Sequence, residues 1–242
     1  MIGIILAAGR GSRLGKYTTN IPKGLVKIHG QPLIEWQINA FKKAGIKNIH
    51  IITGYRKNRF KYNFKYIHNK LWKNTNMFFS LSLADNLLKK NKCIISYSDI
   101  IYGYKIIKEI MNCNKDISIS YDPEWIKLWK KRFNNPLEDA ESFRISNKKI
   151  IEIGNKIKKI TQVNGQYMGI LKITPDGWSK IKNATNELSE DSKKRIDMTS
   201  ILKYLLNKKI NIYGVPLKNN WYEVDSISDL QIYEKIKDLN ID

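Results

Sequence analysis

The residues best suited to chemistry stand near the start of the chain. Leu6-Ala7-Ala8-Gly9-Arg10-Gly11-Ser12-Arg13-Leu14 is an apolar stretch that breaks into a loop of small residues. Ala7, Ala8, Gly9 and Gly11 let backbone N–H groups close on an anion, and the turn that follows aims further donors at it. Arg13 adds a planar fork of donors for phosphate oxygens, and Pro22-Lys23 follows shortly after. Counting excludes two familiar phosphate loops. A dinucleotide fingerprint on Gly9 and Gly11 needs glycine at position 14, which is Leu14. A P-loop ending at Gly15-Lys16 needs glycine at 10 and Ser or Thr at 17, where the chain has Arg10 and Tyr17.

A second group of residues suits a cation. Glu138-Asp139-Ala140-Glu141 is an acidic run in a chain with 43 Lys+Arg against 22 Asp+Glu. Together with aromatic faces from Trp125, Trp129, Tyr167 and Trp221, these carboxylates would suit an amine or quaternary ammonium group. Glu138, Asp139, Tyr167, Trp221 and Glu223 are therefore the expected contacts to a second substrate. His29, His50 and His68 have no metal-ligand spacing, and no Ser-His-Asp set or His-Glu-x-x-His motif occurs.

The elements that must position these residues alternate. Residues 2–8 form a continuous apolar run ending in glycines, as a buried parallel strand does. Short strands are expected at 25–28, 48–53, 64–67, 93–96 and 116–120, with helices from Pro32 to Lys43, over 75–88 and over 105–111. This repetition predicts an α/β fold, a Rossmann-like, mixed but mostly parallel sheet flanked by helices. From 121 to 165 the pattern changes to Pro, Trp and acidic residues, then strands at 142–145 and 150–153. That segment reads as a smaller antiparallel, acceptor-binding insertion beside the sheet. Residues 166–242 return to the core, with a strand at 166–173, helices at 175–184, 198–206 and 226–239, and a late strand at 210–215. The reading is one domain over 1–242, with a nucleotide-binding half at 1–120 and an acceptor and metal half at 166–242.

Composition sets the outer limits. The 242 residues carry a net charge of +21, but the lysines are scattered along the chain rather than gathered in a stripe. A nucleic-acid partner is therefore not expected, whereas attraction for small polyanions is. No apolar run reaches the roughly 18 residues that span a bilayer. The first residues lack a signal peptide's basic region, and Cys93 and Cys113 are too few for a disulfide scaffold. A cytoplasmic protein with no membrane partner is the expectation.

Leu-Ala-Ala-Gly-Arg-Gly-Ser-Arg-Leu followed by Pro22-Lys23, then Gly30-Gln31-Pro32-Leu33-Ile34 and the span from Gly45 to Gly54, resembles the sugar-phosphate-type nucleotidyltransferase superfamily. The resemblance implies that the loop (Leu6, Ala7, Ala8, Gly9, Arg10, Gly11, Ser12, Arg13) binds the NTP and that Lys23 contacts phosphate. It implies Asp99, after Ser98 where that family has glycine, and Asp225 as ligands of Mg²⁺. Hard carboxylate oxygens suit that ion. Arg13, Lys23, Asp99 and Asp225 would then be the catalytic set.

Within the superfamily, Asn74-Thr75-Asn76-Met77-Phe78-Phe79-Ser80-Leu81, Gly165-Gln166-Tyr167-Met168-Gly169 and Asp197-Met198-Thr199-Ser200 resemble the phosphocholine cytidylyltransferase branch. That branch implies CTP as donor, a small phosphorylated or phosphonate acceptor, Asn76 and Ser80 beside the cytosine and ribose, and a role in surface polysaccharide or head-group synthesis. The rival expectations are a sugar 1-phosphate enzyme using UTP, dTTP or GTP, and a catalytically silent nucleotide- or nucleic-acid-binding regulator. Oligomeric state has no readable signal.

Overall fold

The computed structural model describes residues 1–242. Its main sheet has nine strands, in the spatial order Lys65–His68, Ile49–Thr53, Ile2–Ala7, Cys93–Tyr97, Gln166–Ile173, Ile117–Asp122, Tyr213–Pro216, Lys149–Lys156 and Glu141–Ser146. The first four run parallel to one another. Gln166–Ile173 is antiparallel to both its neighbours, and Tyr213–Pro216 returns parallel to Ile117–Asp122. The sheet is thus mixed, parallel in its N-terminal half, and flanked by helices as the alternating pattern requires.

Ile2–Ala7 is buried at every position and lies between two parallel partners. A strand covered on both faces has no polar side to alternate with, hence its unbroken apolar run. Helices Leu33–Lys43 and Tyr104–Asn112 pack against each other, with Leu33, Ile34, Phe41, Ile106, Ile107 and Ile110 buried. None of the helices is long and apolar enough to cross a membrane.

The hairpin of residues 141–156 departs from expectation. Its strands do not stand beside the sheet; they extend it as its outer edge. Lys149 pairs with Tyr213, and the Ile150 N–H donates to the Ile212 carbonyl at 2.9 Å. Phe143, Ile150 and Ile153 are buried in the same core as the first strand, so the apolar face of the hairpin is satisfied by joining the sheet. Asn147 and Lys148 form its two-residue turn, both with positive φ (47° and 64°), the geometry that matches strand twist. The expected helix over 75–88 is broken into Met77–Ser82 and Asp85–Leu88, and the last helix is shorter than expected, Ile227–Glu234.

Candidate active site

Open α/β sheets leave a crevice at the carboxyl ends of their parallel strands. Ile2–Ala7 and Cys93–Tyr97 end side by side there, one running into the glycine loop and the other into Ser98 and Asp99. Between them is a cavity of about 140 Å³, lined on one side by Leu6, Ala8, Gly9 and Lys23 and on the other by Tyr97, Ser98 and Asp99, with Trp72, Thr75, Asn76, Met77 and Ser80 closing it. Nothing lies within 4 Å of where a Gly9 side chain would start, so its backbone is open to a ligand. Gly11 is required for two reasons. Its φ is 74°, and a Cβ there would stand 2.7 Å from the Lys23 Cβ, so the loop lies directly on the Lys23 stem.

Asp225 arrives from the far end of the chain by a short ladder. Trp221–Glu223 pairs antiparallel with Ile100–Tyr102, Glu223 facing Ile100, and the Val224 N–H donates to the Asp99 carbonyl at 2.9 Å. The two aspartates are thereby set on either side of one ammonium. Lys23 Nζ donates to Asp99 Oδ2 at 2.7 Å and, in a short bond, to Asp225 Oδ1. Arg13 Nη2 reaches Asp225 Oδ1 at 3.1 Å. Burial alone would lower the Lys23 ammonium, but Asp99 and Asp225 outweigh it and hold it above the ordinary lysine value. Burial would raise the Asp225 carboxyl, yet Lys23, Arg13 and Arg132 hold it below the usual range. The centre is therefore one of fixed, opposed charges.

The residues fit a divalent cation. Asp99 Oδ1 is buried and has no hydrogen-bond partner, and an unfilled acceptor of this kind needs an explanation. With Asp225 it would supply hard oxygens of the kind Mg²⁺ takes when it also binds phosphates.

Asn76 and Ser80 line the cavity while serving the fold. Asn76 caps the helix Met77–Ser82 by accepting from the Met77 N–H at 2.8 Å, and its amide donates to the Arg195 carbonyl. Ser80 Oγ accepts from Asn69 Nδ2 at 3.0 Å. Ala7 is buried at the strand end, Ser12 opens the short helix Ser12–Thr18, and the Arg10 guanidinium lies 5.7 Å from the Tyr55 ring.

The expected acceptor residues are only partly gathered at the centre. Burial pushes the Glu223 carboxyl above its ordinary value, helped by Asp225 and opposed by Arg132, whose Nη1 stands 2.6 Å from Glu223 Oε2. Asp139 is surface-exposed; partial desolvation raises its carboxyl against the opposing charge of Arg132. Tyr167 is one ring removed from the cavity, edge-on to Tyr97 with centroids 5.9 Å apart. Glu138 is exposed. Trp221 departs from its expected place. It is 4% exposed, gives its N–H to Asp122 Oδ2 at 2.9 Å and packs on Trp129, which in turn packs on Trp125. These three indoles are core because their large apolar area is worth more buried than offered to solvent.

Sequence reasoning missed Arg132 and Asp229, which hold Asp225 from behind, and Trp72, Thr75 and Tyr97, which wall the cavity. Asp229 had a readable signal, since Ser226 and Asp229 make a capping box. Arg132, at the end of Lys130-Lys131-Arg132, looks in sequence like surface charge.

Residues 3–134 match the model of the MobA-like NTP transferase domain. The chain belongs to this family. A relative, the CTP:phosphoglutamine cytidylyltransferase of Campylobacter jejuni, is 36% identical over 250 aligned residues, covering 96% of this chain and 98% of the relative. The choline-phosphate cytidylyltransferase of Streptococcus pneumoniae is 43% identical over 108 residues, 38% of this chain and 47% of the relative. Among solved structures, the CTP:phosphocholine cytidylyltransferase of S. pneumoniae aligns with a TM-score of 0.76 at 25% identity over 98% of this chain and 99% of that one. The inositol-1-phosphate CTP transferase of T. maritima shares the fold, with a TM-score of 0.77 at 20% identity over 98% and 96%. As a member of this family the chain is an enzyme, a nucleotidyltransferase.

Proposed function

We propose that the chain transfers CMP from CTP to a small phosphorylated acceptor bearing an amine or amide, with Mg²⁺, and releases pyrophosphate. The observation that carries this reading is the Lys23 ammonium shared by Asp99 and Asp225 beside the glycine loop. An acceptor phosphate oxygen attacks the α-phosphorus in line. The bond to the β-phosphate bridging oxygen breaks, and pyrophosphate leaves with the electron pair. The acceptor phosphate is already ionised near neutral pH, so no general base is needed. The protein's task is alignment and charge stabilisation. Loop amides and Arg13 hold the β and γ phosphates, and Lys23 neutralises charge developing around the α-phosphorus. Asp99 and Asp225 hold Mg²⁺, which supplies Lewis-acid stabilisation of the phosphates.

The burial of Trp125, Trp129 and Trp221 bears on the acceptor. A quaternary ammonium cage needs open aromatic faces, and these three indoles offer almost none, so they give no support to a phosphocholine acceptor. A phosphorylated glutamine, recognised through hydrogen bonds, does not require them. The relative from C. jejuni, similar over nearly the whole chain, supports that acceptor.

The test is pyrophosphate release with Mg²⁺, crossing CTP, UTP, GTP, ATP and dTTP with phosphoglutamine, phosphocholine, 2-aminoethylphosphonate and a hexose 1-phosphate. Release with CTP and phosphoglutamine is expected. Release only with phosphocholine would overturn the acceptor assignment. Release only with another nucleotide and the sugar phosphate would overturn the donor as well.

A further inference from the structure

Arg132 is the last residue of the helix Ile126–Arg132, and its side chain is 1% exposed while Lys130 and Lys131 beside it face solvent. Burying a guanidinium is unfavourable unless every donor finds an acceptor. Here each of the three nitrogens has a carboxylate partner. Nη1 meets Glu223 Oε2 at 2.6 Å, Nε meets Asp229 Oδ1 at 3.0 Å, and Nη2 lies 3.4 Å from Asp229 Oδ2 and 3.7 Å from Asp225 Oδ2. The rings of Trp129 and Phe133 flank it at 5.4 and 5.0 Å.

Asp229 passes this order on. Its Oδ2 accepts the backbone N–H groups of Asp225 and Ser226, both at 2.9 Å, and the Ser226 hydroxyl at the same distance. Asp225 is thus held at two points, its backbone by Asp229 and its carboxylate between Lys23 and Arg13 on Oδ1 and Arg132 near Oδ2. Arg132 itself does not line the cavity.

We infer that Arg132 is a positioning residue which, directly and through Asp229, fixes the Asp225 carboxylate in the orientation that receives the cation. The inference rests on the proposed role of Asp225 as a cation ligand. Arg132→Lys is the sharp test, because it keeps the charge and loses the fork that spans Glu223 and Asp229. The readout is binding of Mn²⁺ in the presence of CTP and without acceptor, followed by the signal of free Mn²⁺ in electron paramagnetic resonance.

Mn²⁺ affinity should fall about tenfold or more, the range seen when the partner behind a metal ligand is lost. CTP affinity without metal should hold, while the thermal midpoint should fall, because the shorter ammonium leaves part of the buried carboxylate pair unmatched; Mn²⁺ affinity is therefore read well below that midpoint. Asp229→Asn, which keeps an acceptor for the Asp225 N–H but loses the ion pair, should weaken Mn²⁺ in the same direction by less, and it carries the test if the lysine variant does not fold. Wild-type Mn²⁺ binding in these variants, with Asp225→Asn clearly weakened, would overturn the positioning role alone. Unchanged Mn²⁺ binding in Asp225→Asn would overturn the ligand assignment and the inference together.

Discussion

Two clusters of charge in this molecule look alike on paper and behave differently. Around Asp85, Oδ1 accepts from Trp178 Nε1 and Lys182 Nζ, each at 2.9 Å, and Oδ2 meets Lys89 Nζ at 2.6 Å. Around Lys23, two aspartates converge on one ammonium, and Asp99 Oδ1 is left buried and unpartnered. Both Asp85 and Asp225 are held below the usual carboxylate range. The second cluster lines the cavity at the carboxyl ends of the parallel strands, and the first does not. A depressed carboxyl therefore does not mark a site by itself, because structural ion pairs produce it too. An unfilled acceptor beside open space does.

The largest expected effect tests that distinction directly. Asp99→Asn keeps shape and leaves the Lys23–Asp225 pair in place, yet removes the charge facing the cavity. Turnover should fall by about 10²–10³-fold, the scale of losing one preorganised charge-stabilising group, while the thermal midpoint moves by only a few degrees. Steady-state pyrophosphate release and a melting curve on the same preparation check both halves. Near wild-type turnover with a large loss of stability would make Asp99 another Asp85 and dissolve the contrast.

The same contrast explains what could be read from the sequence. The glycine loop was legible because its chemistry is local. Gly9, Gly11 and Arg13 act through backbone and spacing within one turn, and Lys23 packs straight onto Gly11. The meeting of Asp99 with Asp225 was expected only from the family resemblance, because the ladder joining them, Trp221–Glu223 on Ile100–Tyr102, has no signal in either segment alone. The acceptor side was the least legible. Composition marks Trp125, Trp129 and Trp221 as unusual, but burial is decided by long-range packing, here of Trp129 on Trp221 and of Trp221 on Asp122, while the hairpin Glu141–Lys156 joined the edge of the sheet. The strand pattern was right in kind there and wrong in place, because an alternating strand does not say which neighbour it will pair with.

A smaller effect separates core from acceptor contact. Trp221→Phe removes the indole N–H that Asp122 Oδ2 accepts and thins the packing against Trp129. Losing a buried bond to a charged acceptor costs about 2 kcal/mol, so unfolding should come at clearly lower denaturant. The acceptor KM should stay within about twofold, a margin too small to reflect a lost ligand contact. The opposite pattern, unchanged stability with a KM raised tenfold, would return Trp221 to the acceptor site.

The smallest effect lies at Asp85 and turns on pH. Burial would push this carboxyl up, but the hydrogen bonds from Lys89, Trp178 and Lys182 outweigh it, so the folded protein releases the proton more readily than the unfolded chain. The unfolded value is about 3.9. A carboxyl depressed by folding contributes stability that is fully present above that value and disappears as pH falls through it toward the folded one. Asp85→Asn keeps an acceptor for the buried Trp178 N–H and loses only the charge. It should cost about 1 kcal/mol at pH 7, because the lysine partners are partly exposed and solvent screens them. The gap between wild type and variant should then start to narrow below about pH 5 and go on narrowing below about pH 3, toward the folded value. Taking the difference cancels the acid sensitivity both share through the net charge of +21. Turnover should be unchanged at every pH where both are folded. A gap that does not narrow at all from about pH 5 down to the lowest pH at which both remain folded would mean that Asp85 works by shape rather than charge, and a fall in turnover would tie this cluster to the site after all.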